Sequence, residues 1–178
     1  LSWPAYVDKF TVVTVSDKWK AWQLDGKPHR EHDLPAFVGI DGARQWFRHG
    51  RSHRVADKPA CIRYKGSCYW YRSGKLHRDH DRPAYIISDC ELGWYKQGEL
   101  HRDADRPSIK GFEGDCFWYQ HDQLHRDHDK PATIYSDNVR QWYSRGKRQR
   151  DHDRPAFISH DGSWGWFHDD HLHRDNDR

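Results

Sequence analysis

Methionine is absent from these 178 residues. So is any apolar run approaching the roughly 18 residues that a membrane-spanning helix needs. No secretory leader is visible, and the opening at Leu1 reads as a processed N-terminus or a segment of something longer. Charge of one sign is missing too: 30 basic and 27 acidic residues alternate closely and leave a net +3. That lacks the one-sided basic face of a nucleic-acid binder, so no nucleic-acid partner is expected. The four cysteines (Cys61, Cys68, Cys90, Cys116) include no Cys-x-x-Cys pair. They read as free thiols of a reducing intracellular compartment or a virus particle. No window shows helical periodicity, and proline recurs too regularly for long helices.

What is present is unusual. Mean hydropathy is −1.20 and 32% of residues are charged, a composition that on its own favours disorder. Yet there are 10 Trp, 9 Tyr and 7 Phe. Each large ring buries roughly 150–250 Å², so aromatics can carry the burial of a folded chain. The 15 His would take the formal charge from +3 to +18 if all were protonated, since 3 + 15 = 18.

The aromatics are periodic. Trp falls at 22, 46, 70, 94, 118, 142 and 166, and Pro at 35, 59, 83, 107, 131 and 155, both in steps of 24. The whole of 1–178 is therefore one repeat array. Regular units span 35–58, 59–82, 83–106, 107–130, 131–154 and 155–178, and a first unit at 4–34 carries a seven-residue insertion. That insertion feeds Phe10–Val15, the most β-prone run in the chain, and a lengthened first hairpin would cap the array.

Each unit reads as β. A short Ala-x-Ile strand follows Pro, a turn follows at Asp41-Gly42 or its counterparts, and a second strand carries Trp and then Tyr or Phe. A second turn falls at Gly50, Gly74, Gly98 and Gly146, with Asp122 and Asp170 substituting. The predicted fold is all-β: an elongated antiparallel ribbon or solenoid of about seven hairpins, advancing about 10 Å per unit. Adjacent residues face opposite ways, so Trp22, Trp46, Trp70, Trp94, Trp118, Trp142 and Trp166 should form a stacked core. Phe47, Tyr71, Tyr95, Tyr119, Tyr143 and Phe167 should then face outward.

The connecting segment is more regular still. Arg30, Arg54, Arg78, Arg102, Arg126, Arg150 and Arg174 form one column. Asp33, Asp57, Asp81, Asp105, Asp129, Asp153 and Asp177 form another, three residues on. The spacing predicts charge-assisted, bidentate Arg–Asp pairs that close each loop, strengthened where each Asp faces two Arg. His precedes Arg in six of seven units, with Gln149 in the seventh, which fits a packed ring using one nitrogen as a donor. The residue before the column Asp (His32, Ala56, His80, Ala104, His128, His152, Asn176) reads as an unconstrained exposed site. Asp-x-Asp would suit Ca²⁺. However, Glu31 and Val55 replace its first Asp, and an adjacent Arg competes for the carboxylates, so neither metal nor cofactor is expected. Catalysis needs one asymmetric pocket, whereas every candidate here has near-copies in equivalent surroundings; no catalytic residue is assigned.

Trp70-Tyr71-Arg72-Ser73-Gly74-Lys75-Leu76-His77-Arg78, followed by Pro83-Ala84, resembles MORN-type repeats. It is most similar to the degenerate MORN-like units of large DNA virus proteins. Asp-Arg or Asp-Lys precedes Pro-Ala here where the viral units carry Asp-Gly, and the usual MORN glycine after the strand pair is absent. The resemblance implies an elongated β-ribbon, no catalytic residues, and scaffolding through protein–protein contact, sometimes with contact to a phospholipid surface. The leading expectation is a structural or interaction protein, such as a virion component, that binds other proteins or copies of itself through uncapped ends. The alternatives are a module that binds glycans or phospholipid headgroups through the outward aromatic column, and a Ca²⁺-binding repeat.

Overall fold

The computed structural model describes residues 11–172 apart from Asp89. It is an all-β array of successive antiparallel hairpins. Among the described residues there is no α-helix, and only a single 3₁₀ turn at Tyr64–Gly66. No helix is long and apolar enough to cross a membrane.

The unit at 107–130 shows the pattern. Strands Ile109–Lys110 and Cys116–Phe117 pair as a hairpin, in register Ile109↔Phe117 and Lys110↔Cys116. Its loop has three residues: Gly111 N donates to Asp115 O at 2.8 Å, and Gly114 sits at φ 101°. This is a turn followed by a left-handed residue, the bulged hairpin that Asp-Gly dipeptides favour. Cys116–Phe117 then pairs with Thr133–Ile134 of the next unit, and the alternation continues along one long sheet whose strands follow in chain order. In the first unit the predicted β-rich run forms Thr11–Val15, paired with Trp19–Leu24; Phe10 lies outside the described residues.

One refinement concerns the strand that carries Trp. From the second unit on it is interrupted at the Trp itself, so each of these units holds two hairpins rather than one, whereas in the first unit Trp19–Leu24 runs unbroken through Trp22. Tyr119–Gln120 and Gln123–Leu124 form a separate two-stranded sheet beyond Trp118. The reason is visible in the backbone bonds. Trp118 N donates to Ala132 O of the next unit at 2.8 Å, and His125 N donates back to Trp118 O at 3.0 Å. The Trp N–H thus extends the long-sheet register and its C=O extends the small hairpin, so the chain changes sheet there. The acceptor column Ala36, Ala60, Ala84, Ala132 and Ala156 is at most 1% exposed and holds only small side chains. Ser108 alone replaces Ala; its Oγ donates to Phe117 O and accepts from Tyr119 N, so the buried hydroxyl is satisfied.

The small hairpins also join end to end. Gly50 N donates to Pro28 O, Gly74 N to Ser52 O and Gly98 N to Leu76 O, each at 2.8–2.9 Å. Where Asp replaces Gly it keeps the positive φ and adds a bond: Leu100 N donates to Asp122 Oδ1, and Arg148 N to Asp170 Oδ1, both at 2.7 Å. Two series of hairpins therefore run along the array and meet at the Trp column.

The connecting loops bring a correction. The residue before each column Asp is not unconstrained. His32, Ala56, His80, Ala104, His128 and His152 have φ between 58° and 64°, and the following Asp residues are also left-handed. In the first two units the turn is closed by Leu34 N to Glu31 O and Lys58 N to Val55 O. Alanine in this conformation costs about 1–2 kcal/mol. Ala104→Gly is therefore expected to stabilise the chain by about 1 kcal/mol, raising Tm by about 2–4 °C. An unchanged or lower Tm in calorimetry would contradict the strain assigned to this turn.

Candidate functional site

Because the units repeat, a candidate site is a joint between neighbours rather than a single pocket. In the joint between the first two units, Arg54 donates from all three of its nitrogens. Nε and Nη2 donate to Asp33 Oδ1 and Oδ2 at 2.6 and 3.1 Å, and Nη1 donates to Pro59 O at 3.2 Å. The guanidinium lies flat on Trp46, 3.7 Å from the ring centroid. Trp46 Nε1 in turn donates to Asp33 O at 2.9 Å. Asp33 thus supplies a left-handed turn backbone, a carbonyl for Trp and a carboxylate for Arg. The same bonds recur for Trp70–Arg78–Asp57, Trp94–Arg102–Asp81, Trp118–Arg126–Asp105 and Trp142–Arg150–Asp129. Arg30 covers Trp22 in the first unit at 3.7 Å.

The bidentate pairing foreseen in the sequence is present, but with a different partner. Each Arg from Arg54 to Arg150 reaches back 21 residues to the Asp of the preceding unit, and closes its own loop on the Pro carbonyl rather than on its own unit's Asp. The Trp side chains are buried as expected, at 6–9% exposure for Trp46, Trp70, Trp94, Trp118 and Trp142. However, an Arg lies on each ring face, so the column is a Trp–Arg ladder rather than a ring-on-ring stack. A guanidinium is planar and fits both the aromatic face and the carboxylate fork, which Lys cannot do.

A second cation meets each Asp. Lys58 Nζ lies 2.7 Å from Asp33, Arg106 2.6 Å from Asp81 and Lys130 2.6 Å from Asp105. Arg82 and Arg154 contact Asp57 and Asp129 in the same way. The column Arg hydrogen bonds first, helped by these second cations, hold Asp33, Asp57 and Asp105 down to about 2, and the Arg102 and Arg150 bonds lower Asp81 and Asp129 as well. This basic column before Pro was legible as Asp-Arg and Asp-Lys, yet its role was missed; its unbroken charge from 58 to 154 was the signal.

Three of the column histidines, His29, His77 and His125, are bonded at both nitrogens. Gln97 N donates to His77 Nδ1 at 3.2 Å, which leaves the proton on Nε2, and Nε2 donates to Asp79 Oδ1 at 2.9 Å. His29 and His125 have the same two bonds, with Glu31 and Asp127. His101 keeps its bond to Asp103, but its Nδ1 has no partner and its ring lies against His121, centroids 4.6 Å apart. The Asp-x-Asp carboxylates at 79/81, 103/105 and 127/129 are therefore engaged by His, Arg, Lys and Gln. Among the described residues no group of three or more His, Cys, Asp or Glu could hold a metal ion.

Phe47, Tyr71, Tyr95, Tyr119, Tyr143 and Phe167 are half-buried, and burial raises the pKa of Tyr71, Tyr95 and Tyr119. Between successive loops lie open notches of about 220, 440 and 260 Å³, lined by the His, Arg and Asp columns and the next Trp and Tyr. The four cysteines are unpaired. Arg174 and Asp177 lie outside the described residues. Trp166 and Asp153 lie within them, as the last described members of their columns.

Fold and joints together define a tandem β-hairpin repeat protein joined by Trp–Arg–Asp ladders. No family model, curated protein or solved structure matches the chain.

Proposed function

We propose that this chain is a non-enzymatic interaction scaffold of MORN-like repeats, acting in a virion or another assembly through contacts to other proteins or to copies of itself. The observation that carries this reading is how fully the reactive columns are spent on holding the array together. Column Arg guanidiniums from Arg54 to Arg150 carry a carboxylate, a carbonyl and a Trp face. Each of these Asp residues meets two cations, so neither column offers a free acid, base or nucleophile. What is left to meet a partner is the periphery, which repeats every 24 residues and suits many weak contacts summed along one face.

Self-association has a further support. Among the described residues, the outermost strands of the long sheet are Thr11–Val15 and Trp164–Gly165. Val13, Val15 and Trp164 there are 42%, 61% and 62% exposed. Sheet edges with apolar side chains are templates for another chain. Sedimentation velocity over a wide concentration range is expected to show mass rising with concentration. A single monomeric species at the highest concentration would sink the self-association reading.

A further inference from the structure

The second unit departs from its sisters at one place. In the next three units the first loop acid is gripped from two sides. Asp79 accepts from His77 Nε2 at 2.9 Å and pairs with Arg72. Asp103 accepts from His101 Nε2 at 2.9 Å and from Lys96 Nζ at 3.2 Å. Asp127 accepts from His125 Nε2 at 3.0 Å and from Gln120 Nε2 at 3.4 Å. In the second unit both donors are kept: Arg48 aligns with Arg72 and Lys96, and His53 with His77 and His101. The acceptor is not kept, because Val55 stands where Asp79, Asp103 and Asp127 stand.

His53 is held as its sisters are. Ser73 N donates to His53 Nδ1 at 3.2 Å, so the Nε2 proton points outward from that bond, as in the neighbouring units. Among the described residues no carboxylate pairs with His53 or with Arg48. Instead, burial and then the positive charges of Arg48 and Arg72 hold the His53 pKa below its ordinary value. Arg48 acts at longer range on Glu31, whose carboxylate is already taken by His29 Nε2 at 2.8 Å. Val55 itself is 58% exposed, an apolar side chain beside two unmatched donors.

We propose that Arg48 and His53 receive the carboxylate of an acidic side chain from a protein partner, in the place that Asp79, Asp103 and Asp127 fill in their own units. The internal copies define the ligand: a carboxylate takes one bond from imidazole and a second from the strand residue, a guanidinium in the case of Arg72. Val55 adds an apolar contact for the residue next to the acid, which a free inorganic anion would not use. This deepens the scaffold reading by naming partner chemistry at one unit. It is tested separately from self-association, so either can fail alone.

The test is an NMR titration of the whole chain, following the His53 ring protons. The probe is the capped tripeptide acetyl-Leu-Asp-Leu-amide, with the Leu-Asn-Leu analogue and inorganic phosphate as parallel arms. A saturable shift at His53 is expected with the Asp peptide and not with the Asn peptide, while His77 and His125 stay unmoved. Arg48→Gln should weaken it by about tenfold or more. Val55→Asp supplies the carboxylate from within; it should abolish the shift while Tm stays at or above that of the parent chain. Equal response to the Asn peptide, saturation by phosphate but not by the Asp peptide, or undiminished binding by Val55→Asp would each overturn the proposal.

Discussion

Trp94→Ala is expected to lower stability by about 3–5 kcal/mol, the largest effect of any single truncation in the middle of the array. Trp94 is 7% exposed. Its ring is the surface on which Arg102 lies at 3.7 Å, and its Nε1 donates to Asp81 O at 3.0 Å. Truncation removes the ring's buried area, leaves the Asp81 carbonyl short of a donor, and frees the Arg102 guanidinium from the face that orients its fork. These losses fall on one joint. In an array where each unit contacts only its neighbours, a weakened joint splits the cooperative unit, so urea unfolding should also broaden or divide. Trp94→Phe keeps a ring beneath Arg102 and loses only the indole donor, so it should cost clearly less. Trp164 provides the internal control. It lies outside the column and is 62% exposed, so Trp164→Ser should change stability by no more than about 0.5 kcal/mol. Equal costs at Trp94 and Trp164 would show that the ladder is not what holds the units together.

The contrast between these two tryptophans shows what the sequence could and could not tell. Both are Trp, but only one recurs in steps of 24, and that recurrence alone separates a buried ring from an exposed one. The β class, the two turns and the unit boundaries were legible for the same reason: proline, Asp-Gly and Trp each impose local geometry wherever they fall. Register between units was not. The Arg–Asp spacing of three residues within a loop suggested a local pair, whereas the fold joins residues 21 apart. A periodic sequence gives columns but no offset between them, since a pair three residues apart and a pair 21 apart share the same two columns. The left-handed loop residue was missed because it varies freely among His, Ala and Asn; its constraint lies in the backbone. The split of the Trp strand was equally hidden, because it depends on an Ala carbonyl in the next unit.

Acid should dismantle the same joints. Asp33, Asp57 and Asp105 are held at about 2 against an ordinary 3.8, first by hydrogen bonds from Arg54, Arg78 and Arg126. Asp81 and Asp129 are lowered by the same kind of contact. A carboxyl whose folded value lies below its unfolded value binds fewer protons in the folded state. Its stabilisation is therefore complete above the unfolded value, near 4, and is lost as pH falls toward about 2. These side chains are about a third exposed, so solvent screening reduces each contribution to about 1 kcal/mol. Across the joints of Asp33, Asp57 and Asp105 they make a loss on the order of 3 kcal/mol over that window, and Asp81 and Asp129 act in the same direction. His53 works in the same sense at higher pH: its lowered value means stability present above the ordinary histidine range and lost below it. It is one group against many carboxylates, so the steep fall should come between about pH 4 and 2, after a shallow one below the ordinary histidine range. Asp105→Asn separates the two. It should lower stability at neutral pH and flatten the acid limb, while leaving the shallow step in place. A main transition near pH 6, unchanged by Asp105→Asn, would mean that histidine and not the Arg–Asp ladder carries the pH dependence of this array.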